Sequence, residues 1–436
     1  MRKVLVYGLG ITGISTVKTL DKMGYKVYTF DKNKNTDKRL KGYNYSPISC
    51  GKINEDYNFV VKSPGIKPSD EILKKLYKSQ DVISDIELSF RLFKDKDFIA
   101  VTGTNGKTTT TSMISHILNK SGKKTISVGN IGEGILWQMH ENDAIFVEEV
   151  SSFQLHDTKT YKPHIALILN ISPDHIDWHG SKENYIEDKL KIVKNQDEKD
   201  FLIINHDDKI LKDYIKNFKA QIYEFSLKEE VSRGIYLKND AIFLKDKNKE
   251  VKLLNKNDLL VVGDHNTANI MASMLALYIY GLDIKKIEKY AKTFKAISHR
   301  LEFVKNIRGV NFYNDSKATN VDAALKAVES FDKNIILIAG GYDKKIDYKN
   351  LFENKTDKYK SMILLGETKD KLANYCKEFK IKYFLVDSMK KAIDIAFDIM
   401  EKDDTVLLSP ASASWGMYDN FKQRGDDFKK EVLERG

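Results

Sequence analysis

Short apolar runs alternate with amphipathic stretches from the first residues of the chain onward. KVLVYG (3–8) reads as a buried strand, GITGISTVKTLDKMG (10–24) as a helix ending at Gly24, and KVYTFD (26–31) as a second strand. FVVKSPGIKPSD (59–70) is a strand running into a Pro/Gly turn. The pattern restarts at DFIAVTGTNGKTT, with a strand over 98–102, a tight loop, and a helix over 107–120. TISVGN, AIFVEEV and HIALILNI are apolar throughout, as parallel strands covered on both faces are. Over 201–262 the texture changes. FLIIN, QIYEFS, GIYLKNDAIFLK and EVKLL are strand-like, and Asn239-Asp240 marks a turn, which predicts a small antiparallel insertion or flank. HNTANIMASMLALYIYG is helical and closes this part near residue 297. VNFYND, NIILIAGG, SMILLGE, KYFLVD and TVLLSP then return to strand–helix alternation. There is no internal repeat and no low-complexity linker.

Length and composition narrow the class. A chain of 436 residues exceeds one ordinary core, and three α/β domains are expected. Apolar residues at 42% and charged residues at 31% suit a globular enzyme better than a disordered chain. The net charge of +10 is nearly all lysine, interleaved with Asp and Glu. Arginine occurs only at 2, 39, 91, 233, 300, 308, 424 and 435. A nucleic-acid protein would gather its cations on one stripe, so the excess reads as a solvated surface. Cys50 and Cys376 are too few for a disulfide framework, which points to a reducing cytoplasm. The opening MRKVLVYGLG lacks the apolar run of a secretory signal, and no stretch reaches the ~18–20 apolar residues of a membrane span.

The candidate chemistry lies at strand ends. In VTGTNGKTTTTS (101–112), Gly103 and Gly106 let backbone N–H groups converge at the start of a helix. Lys107 can reach outer phosphates, and Thr108 or Thr109 can offer a hydroxyl to Mg²⁺. The loop is shorter than the usual phosphate-loop pattern, with Val101 where that pattern has its first glycine. The bland alternative is a glycine turn before a helix with an incidental lysine. GLGITG (8–13) matches the dinucleotide fingerprint, with Asp31 about twenty residues on, yet the same glycines serve any nucleotide diphosphate or a purely structural turn. EEVSSFQL places Glu148 and Glu149 at a strand end, where carboxylates can hold Mg²⁺ and where one of the pair can be a solvated charge. SPDHIDWHG gathers Asp174, His175, Asp177 and His179; a hard-metal site is favoured and zinc remains open. GDHNTAN (263–269), HRLE (299–302) and NDSKATN (314–320) are polar clusters that can be caps or a shared site, and SPASASWGMYDNFKQRG (409–425) has the small residues of a ligand-contacting loop.

Taken in order, GTNGKTTTT, EEVSSFQL, DHIDWH, GDHNTAN, HRLE and NDSKATN resemble the Mur ligases, the ATP-dependent amino-acid ligases of peptidoglycan precursor synthesis. The resemblance runs the whole chain. GLGITG, SPGI and the closing SPASASWGMYDNFKQRG look most like the D-glutamate-adding branch, whereas a D-N-P-R sequence of the diamino-acid-adding branch is missing. The implied fold is α/β: a Rossmann-like domain over 1–94 for the UDP substrate, a central P-loop-type ATPase domain over 95–297, and a Rossmann-like amino-acid-binding domain over 298–436. The implied reaction adds D-glutamate to UDP-N-acetylmuramoyl-L-alanine through an acyl phosphate. The resemblance implies UDP-substrate contacts at Gly10, Ile11, Thr12, Gly13, Asp31, Lys32, Gly65, Asn130 and Ser151. For ATP it implies Gly103, Thr104, Asn105, Gly106, Lys107, Thr108, Thr109, Asn269, Arg300 and Asp315. For D-glutamate it implies Lys317, Thr319, Lys344, Ser414, Trp415 and Phe421, with Lys345 a rival to Lys344. Two Mg²⁺ ions would be held by Thr108, Glu149, His175 and a carbamylated Lys189; Lys107, His175 and Lys189 are the residues implied in catalysis.

Lys189 has a reading of its own. Ser181 is a plausible N-cap, and the spacing from Tyr185 puts both side chains on one helix face. Carbamylation needs a neutral amine, which burial favours; a lysine on a solvated face is the alternative. Small-molecule substrates, no nucleic-acid or membrane partner and a monomer complete the expectation. Folylpolyglutamate synthase would share the ATP chemistry without a UDP-binding domain. An NAD-dependent oxidoreductase would leave GTNGKTT unexplained, and a regulatory nucleotide-binding module would release no ADP.

Overall fold

The computed structural model describes residues 2–33, 38–53, 56–129, 134–172, 174–214, 218–247, 249–353 and 355–436, with strands in three sheets. In the first, β1 (Lys3–Tyr7), β2 (Lys26–Phe30), β3 (Ser46–Pro47), β4 (Phe59–Lys62) and β5 (Val82–Ile83) lie in the order β3-β2-β1-β4-β5, all parallel. Val4, Leu5, Val6 and Val60 are wholly buried, as a central strand covered on both faces requires. The two-residue strands β3 and β5 are too short to show a period, and the sequence pattern does not reveal them.

The second sheet holds β6 (Phe98–Thr102), β7 (Thr125–Gly129), β8 (Ile145–Glu149), β9 (Ile165–Ile168), β10 (Phe201–Asn205), β11 (Gln221–Ser226), β12 (Gly234–Lys238), β13 (Ala241–Asp246) and β14 (Lys249–Asn255). Their order is β14-β13-β12-β11-β10-β9-β6-β8-β7. The expected antiparallel flank exists but is narrower than the change of texture suggested. β10, β11 and β12 continue the parallel sheet from β9, and only the β12–β13 and β13–β14 pairs are antiparallel. Asn239 and Asp240 turn the β12–β13 hairpin with φ of 49° and 55°, the left-handed pair that a tight hairpin turn needs.

The third sheet, in the order β15-β16-β20-β17-β18-β19, contains β15 (Glu302–Ile307), β16 (Val310–Asn314), β17 (Ile335–Ala339), β18 (Tyr359–Leu364), β19 (Tyr383–Leu385) and β20 (Thr405–Leu408). It is parallel except for β15, an antiparallel edge strand that the sequence pattern misses. A register shift between Phe303 and Lys305 breaks its alternation. Successive residues of β17 serve two cores: Leu337 packs with Phe352 and Met362, whereas Ile336 and Ile338 pack with Phe312 and Phe428.

By contacts the chain forms two compact units, one of residues 1–258 and 268–293, the other of 259–267 and 294–436. The first two sheets therefore share a unit, and one apolar core runs from Val6 and Ile86 to Phe146 and Ile168. A buried ion pair fastens them: Lys62 Nζ, at the end of β4, lies 2.8 Å from Asp157 Oδ2, with side-chain exposures of 0% and 3%. Tyr77 donates its hydroxyl to the other oxygen of Asp157 at 2.6 Å, and Lys62 sits over the Trp178 ring. Among the described residues no helix is long and apolar enough to cross a membrane. Removing one partner of a buried pair strands the other charge. Lys62→Ala is expected to destabilise the first unit by about 3 kcal/mol, read as a lower urea midpoint; an unchanged midpoint would mean that Asp157 is solvated there.

Candidate functional site

Three parallel strands end side by side in the first unit. Val101 of β6 is in register with Glu149 of β8, and Thr102 with Ile168 of β9. The segments leaving them, from 103, 150 and 169 onward, are therefore neighbours at the carboxyl edge, where open α/β sheets place ligands. The loop after β6 turns at Gly106, whose φ is 87°, and opens into the helix Lys107–Lys120. A Cβ at Gly106 would lie 2.3 Å from Asn269 Oδ1, so that position admits only glycine while Asn269 stands against the loop.

The loop is held by partners that sequence reasoning missed. Asn170 accepts from Asn105 N at 2.9 Å and donates to Asn105 O at 3.0 Å, a reciprocal clamp. Its position just past an apolar parallel strand was the available signal. Thr104 Oγ1 contacts Ser172 O at 3.0 Å and the Tyr185 hydroxyl at 2.8 Å. Lys107 Nζ donates to Gly103 O at 2.7 Å and Thr104 O at 3.0 Å. Lys189 Nζ donates to the same Gly103 carbonyl at 2.9 Å. The helix Lys182–Leu190 is capped by Ser181, which accepts from Asn184 N, and the Tyr185 ring lies beneath Lys189 at 4.8 Å. Lys189 is not on a solvated face: it is 2% exposed, and burial with the neighbouring Lys107 charge holds its amine well below the ordinary lysine range.

Both strand-end glutamates are buried, so neither is a solvated charge. Glu148 faces the core, where the Tyr161 hydroxyl donates to it; burial, with the Asp85 charge adding to it, pushes its carboxyl up to about 8. Glu149, on the other side of the strand by alternation, ends β8 beside the loop. The Asp174–His179 segment is dispersed rather than gathered. His179 is buried between Ser152 Oγ (3.0 Å) and Asp188 Oδ2 (2.8 Å), and Asp177 pairs with Lys67. His175, half-exposed with φ of 51°, stays with Asp174. Among the described residues no three His, Cys, Asp or Glu side chains gather as a metal cluster.

At the first sheet, Gly8, Gly10, Asp31, Lys32 and Gly65 line a cleft of about 490 Å³ with Tyr7, Ser63 and Asp70. Ile11, Thr12 and Gly13 form the first turn of the helix Ile11–Lys22. A Cβ at Gly13 would lie 1.9 Å from Gly8 O, so the last glycine serves helix–strand packing. Asp31 accepts from Leu9 N at 2.6 Å, and Lys32 pairs with Asp70. A second, more apolar cleft of about 650 Å³ adjoins Asp31 and Lys32, lined by Phe30, Tyr45, Ile48 and Ile72. Ser151 caps the helix Ser152–His156 in a reciprocal box with Gln154. Asn130 lies outside the described residues.

The second unit presents the loops after β16, β17 and β20, which are adjacent parallel strands. Asp315 follows β16, accepts from Ser409 Oγ at 2.9 Å and Leu301 N at 3.2 Å, and is pushed up to about 7 by burial. Arg300 lies close enough to favour its charged form. Lys317 lies over the Phe421 ring at 4.1 Å and Lys344 over the Trp415 ring at 5.7 Å; Ser414 is buried beside the exposed Trp415. Thr319 is half-buried in the loop after β16. Lys345 is exposed with φ of 57°.

Comparison with known proteins adds three family matches: "Mur ligase MurD-like, N-terminal domain" over residues 2–84, "Mur ligase middle domain" over 101–277, and "Mur ligase, glutamate ligase domain" over 299–412. A UDP-N-acetylmuramoylalanine–D-glutamate ligase of Clostridioides difficile is 40% identical over 443 residues, covering 99% of this chain and 98% of the relative. One from Caldanaerobacter subterraneus is 38% identical with the same coverage. Among solved structures, the MurF ligase of Thermotoga maritima in complex with ADP superposes with a TM-score of 0.60 at 18% identity, covering 100% of this chain and 96% of that one. A pseudomurein peptide ligase type C from Methanothermus fervidus gives 0.61 at 20%, covering all of both chains; both likenesses speak to the fold.

The two glutamates make a test. A carboxyl whose folded pKa lies above its unfolded value of 4.5 loses stability as pH rises from 4.5 to about 8, where the loss is complete. Glu148→Gln is therefore expected to be neutral near pH 5 and stabilising by more than about 1 kcal/mol near pH 8. Urea unfolding at both pH values checks this, and an equal offset at both would show that Glu148 does not titrate in that window.

Proposed function

Because the chain belongs to the Mur ligase family, we propose that it joins D-glutamate to UDP-N-acetylmuramoyl-L-alanine at the expense of ATP, giving ADP and phosphate. One observation carries the chemistry: the side-chain nitrogens of Lys107 and Lys189 meet at Gly103 O, on a glycine loop that opens a helix. Full-length likeness to D-glutamate ligases supports the choice of amino acid.

An amide does not form from a carboxylate and an amine unaided, because the carboxylate is a poor electrophile. The L-alanyl carboxylate oxygen attacks the γ-phosphorus of ATP, the bond to the β-phosphate oxygen breaks, and an acyl phosphate and ADP result. The D-glutamate nitrogen then attacks the acyl carbon, loses a proton, and the tetrahedral adduct expels phosphate. The first step brings two anions together. Lys107, the loop N–H groups and the helix start offset that repulsion by electrostatics fixed before the reaction. Thr104, Asn105, Thr108, Thr109 and Asn269 complete the phosphate side of this reading, and Arg300 and Asp315 its nucleotide contacts.

Magnesium fits the donors present. Glu149 is a buried carboxylate beside the loop, and Lys189 has the depressed amine that can exist neutral and take up CO₂ as a carbamate. Thr108 and Glu149 would hold one ion, His175 and carbamylated Lys189 the other. Bound there, the ions would neutralise phosphate charge. His175 and Lys189 serve as ligands rather than bases in this reading.

The same reading gives residues 1–94 the UDP substrate, 95–297 ATP, and 298–436 the amino acid. In the first segment Gly10, Ile11, Thr12 and Gly13 stand near the diphosphate, Asp31 and Lys32 near the uracil, and Gly65 completes the cleft. Asn130 and Ser151 belong to the sugar-peptide end. Lys317, Thr319, Lys344, Ser414, Trp415 and Phe421 take D-glutamate. The enzyme works as a cytoplasmic monomer.

ADP release with UDP-N-acetylmuramoyl-L-alanine, run against a panel of D- and L-amino acids, tests this. Release is expected with D-glutamate alone, and Lys107→Ala is expected to lower it at least a thousandfold (about 4 kcal/mol). Equal release with another amino acid, or full turnover in the variant, would overturn the reading.

A further inference from the structure

Arg424 is among the largest side chains in the protein that are fully buried. It occupies the first turn of the helix Phe421–Arg435, whose start Asn420 caps through Lys422 N and Gln423 N. Its Nε donates to Ser316 Oγ at 3.0 Å, Nη2 to Ser316 O at 2.9 Å, and Nη1 to Ser412 O at 3.0 Å. These are neutral acceptors. Among the described residues the guanidinium makes no ion pair with a carboxylate, although the third sheet's unit has many.

Two physical rules are broken at one residue. A buried cation is ordinarily paired with an acid, because desolvating an unpaired charge is costly. A cation in the first turn of a helix also opposes the helix dipole, and this turn has no acidic residue to compensate. Such violations are expected where function holds them in place. Burial lowers the Arg424 pKa to about 10, which still leaves it charged at neutral pH.

The three acceptors place that charge. Ser316 lies between Asp315 and Lys317 in the loop after β16, and its hydroxyl also donates to Phe421 O at 2.8 Å. Ser412 lies two residues before Ser414 in the loop after β20, and Tyr342 N donates to Ala413 O at 2.9 Å, which ties in the loop after β17. Tyr418 N in turn donates to Ser414 O at 3.0 Å. One guanidinium thus fixes the backbone of the loops that carry Lys317, Lys344, Ser414 and Phe421. It supplies those loops with an uncompensated positive charge in a low-dielectric surrounding, where a charge acts over a longer range than in water.

We propose that Arg424 is a specificity-determining positioning residue: its planar fork fixes the loops after β16 and β20, and its unpaired charge selects an amino acid with a second carboxylate over one with a neutral side chain. This rests on the D-glutamate reading above. Arg424 acts through Ser316 and Ser412 and is not assigned a contact with substrate.

The test compares D-glutamate with D-glutamine, which differs by one charge, in wild type, Arg424→Gln and Arg424→Lys, each checked for a cooperative thermal transition. In Arg424→Gln the kcat/KM ratio of D-glutamate over D-glutamine is expected to fall at least tenfold, with the KM for ATP and for the UDP substrate within twofold of wild type. Arg424→Lys keeps the charge and loses the fork, so the ratio is expected within threefold of wild type while the KM for D-glutamate rises at least fivefold. A role in packing alone would lower both amino acids equally and leave the ratio unmoved in Arg424→Gln, which overturns the proposal. If Arg424→Gln shows no cooperative transition, Arg424→Lys decides: a wild-type KM for D-glutamate overturns the proposal and the expected rise supports it. Wild-type enzyme that releases no ADP with D-glutamate overturns the functional reading and this proposal together, whereas an active wild type with indifferent variants overturns the proposal alone.

Discussion

Gly103 O carries the arrangement of the first unit. A carbonyl oxygen has two lone pairs, and here two lysine Nζ atoms donate to it, one from the helix that follows the loop and one from a helix that lies far along the chain. Two like charges that share an acceptor in a buried place repel, and the repulsion is relieved if one gives up its proton or an anion arrives. Lys189, at 2% exposure, is the one driven toward neutrality, while Lys107 is only half-buried. The loop thus separates two otherwise similar amines by their surroundings, one half-buried and one almost wholly buried. Asn170, Thr104 and Tyr185 matter because they hold the carbonyl in the place that makes this separation possible.

The strand register extends the same logic to the acids. Glu148 and Glu149 are adjacent in sequence, and the period of a β-strand sends them to opposite faces. One enters the core with Tyr161, where burial favours its protonated form; the other ends the strand beside the loop. A pair that looks redundant in sequence is two residues with different work. His179 shows the converse. It belongs by sequence to the metal-like cluster, yet Ser152 and Asp188 take both ring nitrogens, and it braces the helix of Lys189 instead.

What was legible in the sequence was local. The helix over 107–120, the Ser181 cap, the Tyr185–Lys189 face and the Asn239-Asp240 turn follow from spacing and residue type, and the structure has each. The parallel strands were visible as apolar runs. Short edge strands carry too few residues for a period, and β15 hides its alternation behind a register shift. Texture alone also assigned β10 and β11 to the antiparallel flank, because a strand at the margin of a parallel sheet mixes polar and apolar residues just as a hairpin does. The buried pair of Lys62 and Asp157, and the clamp of Asn170 on Asn105, join residues far apart in sequence, and no composition rule marks either partner.

The two units bury cations of different kinds, and the difference is chemical. A lysine amine can lose its proton when desolvated, so a buried lysine suits a place where a neutral, reactive nitrogen is wanted. A guanidinium keeps its charge at any pH a cell reaches and presents a rigid fork. Arg424, with three neutral oxygens around it, therefore stays a cation inside the second unit at neutral pH. Arginine at 189 would have no way to escape the cost of burial by deprotonating. The chain has only eight arginines among its cations, and the one at 424 is fully buried, as is the lysine at 189.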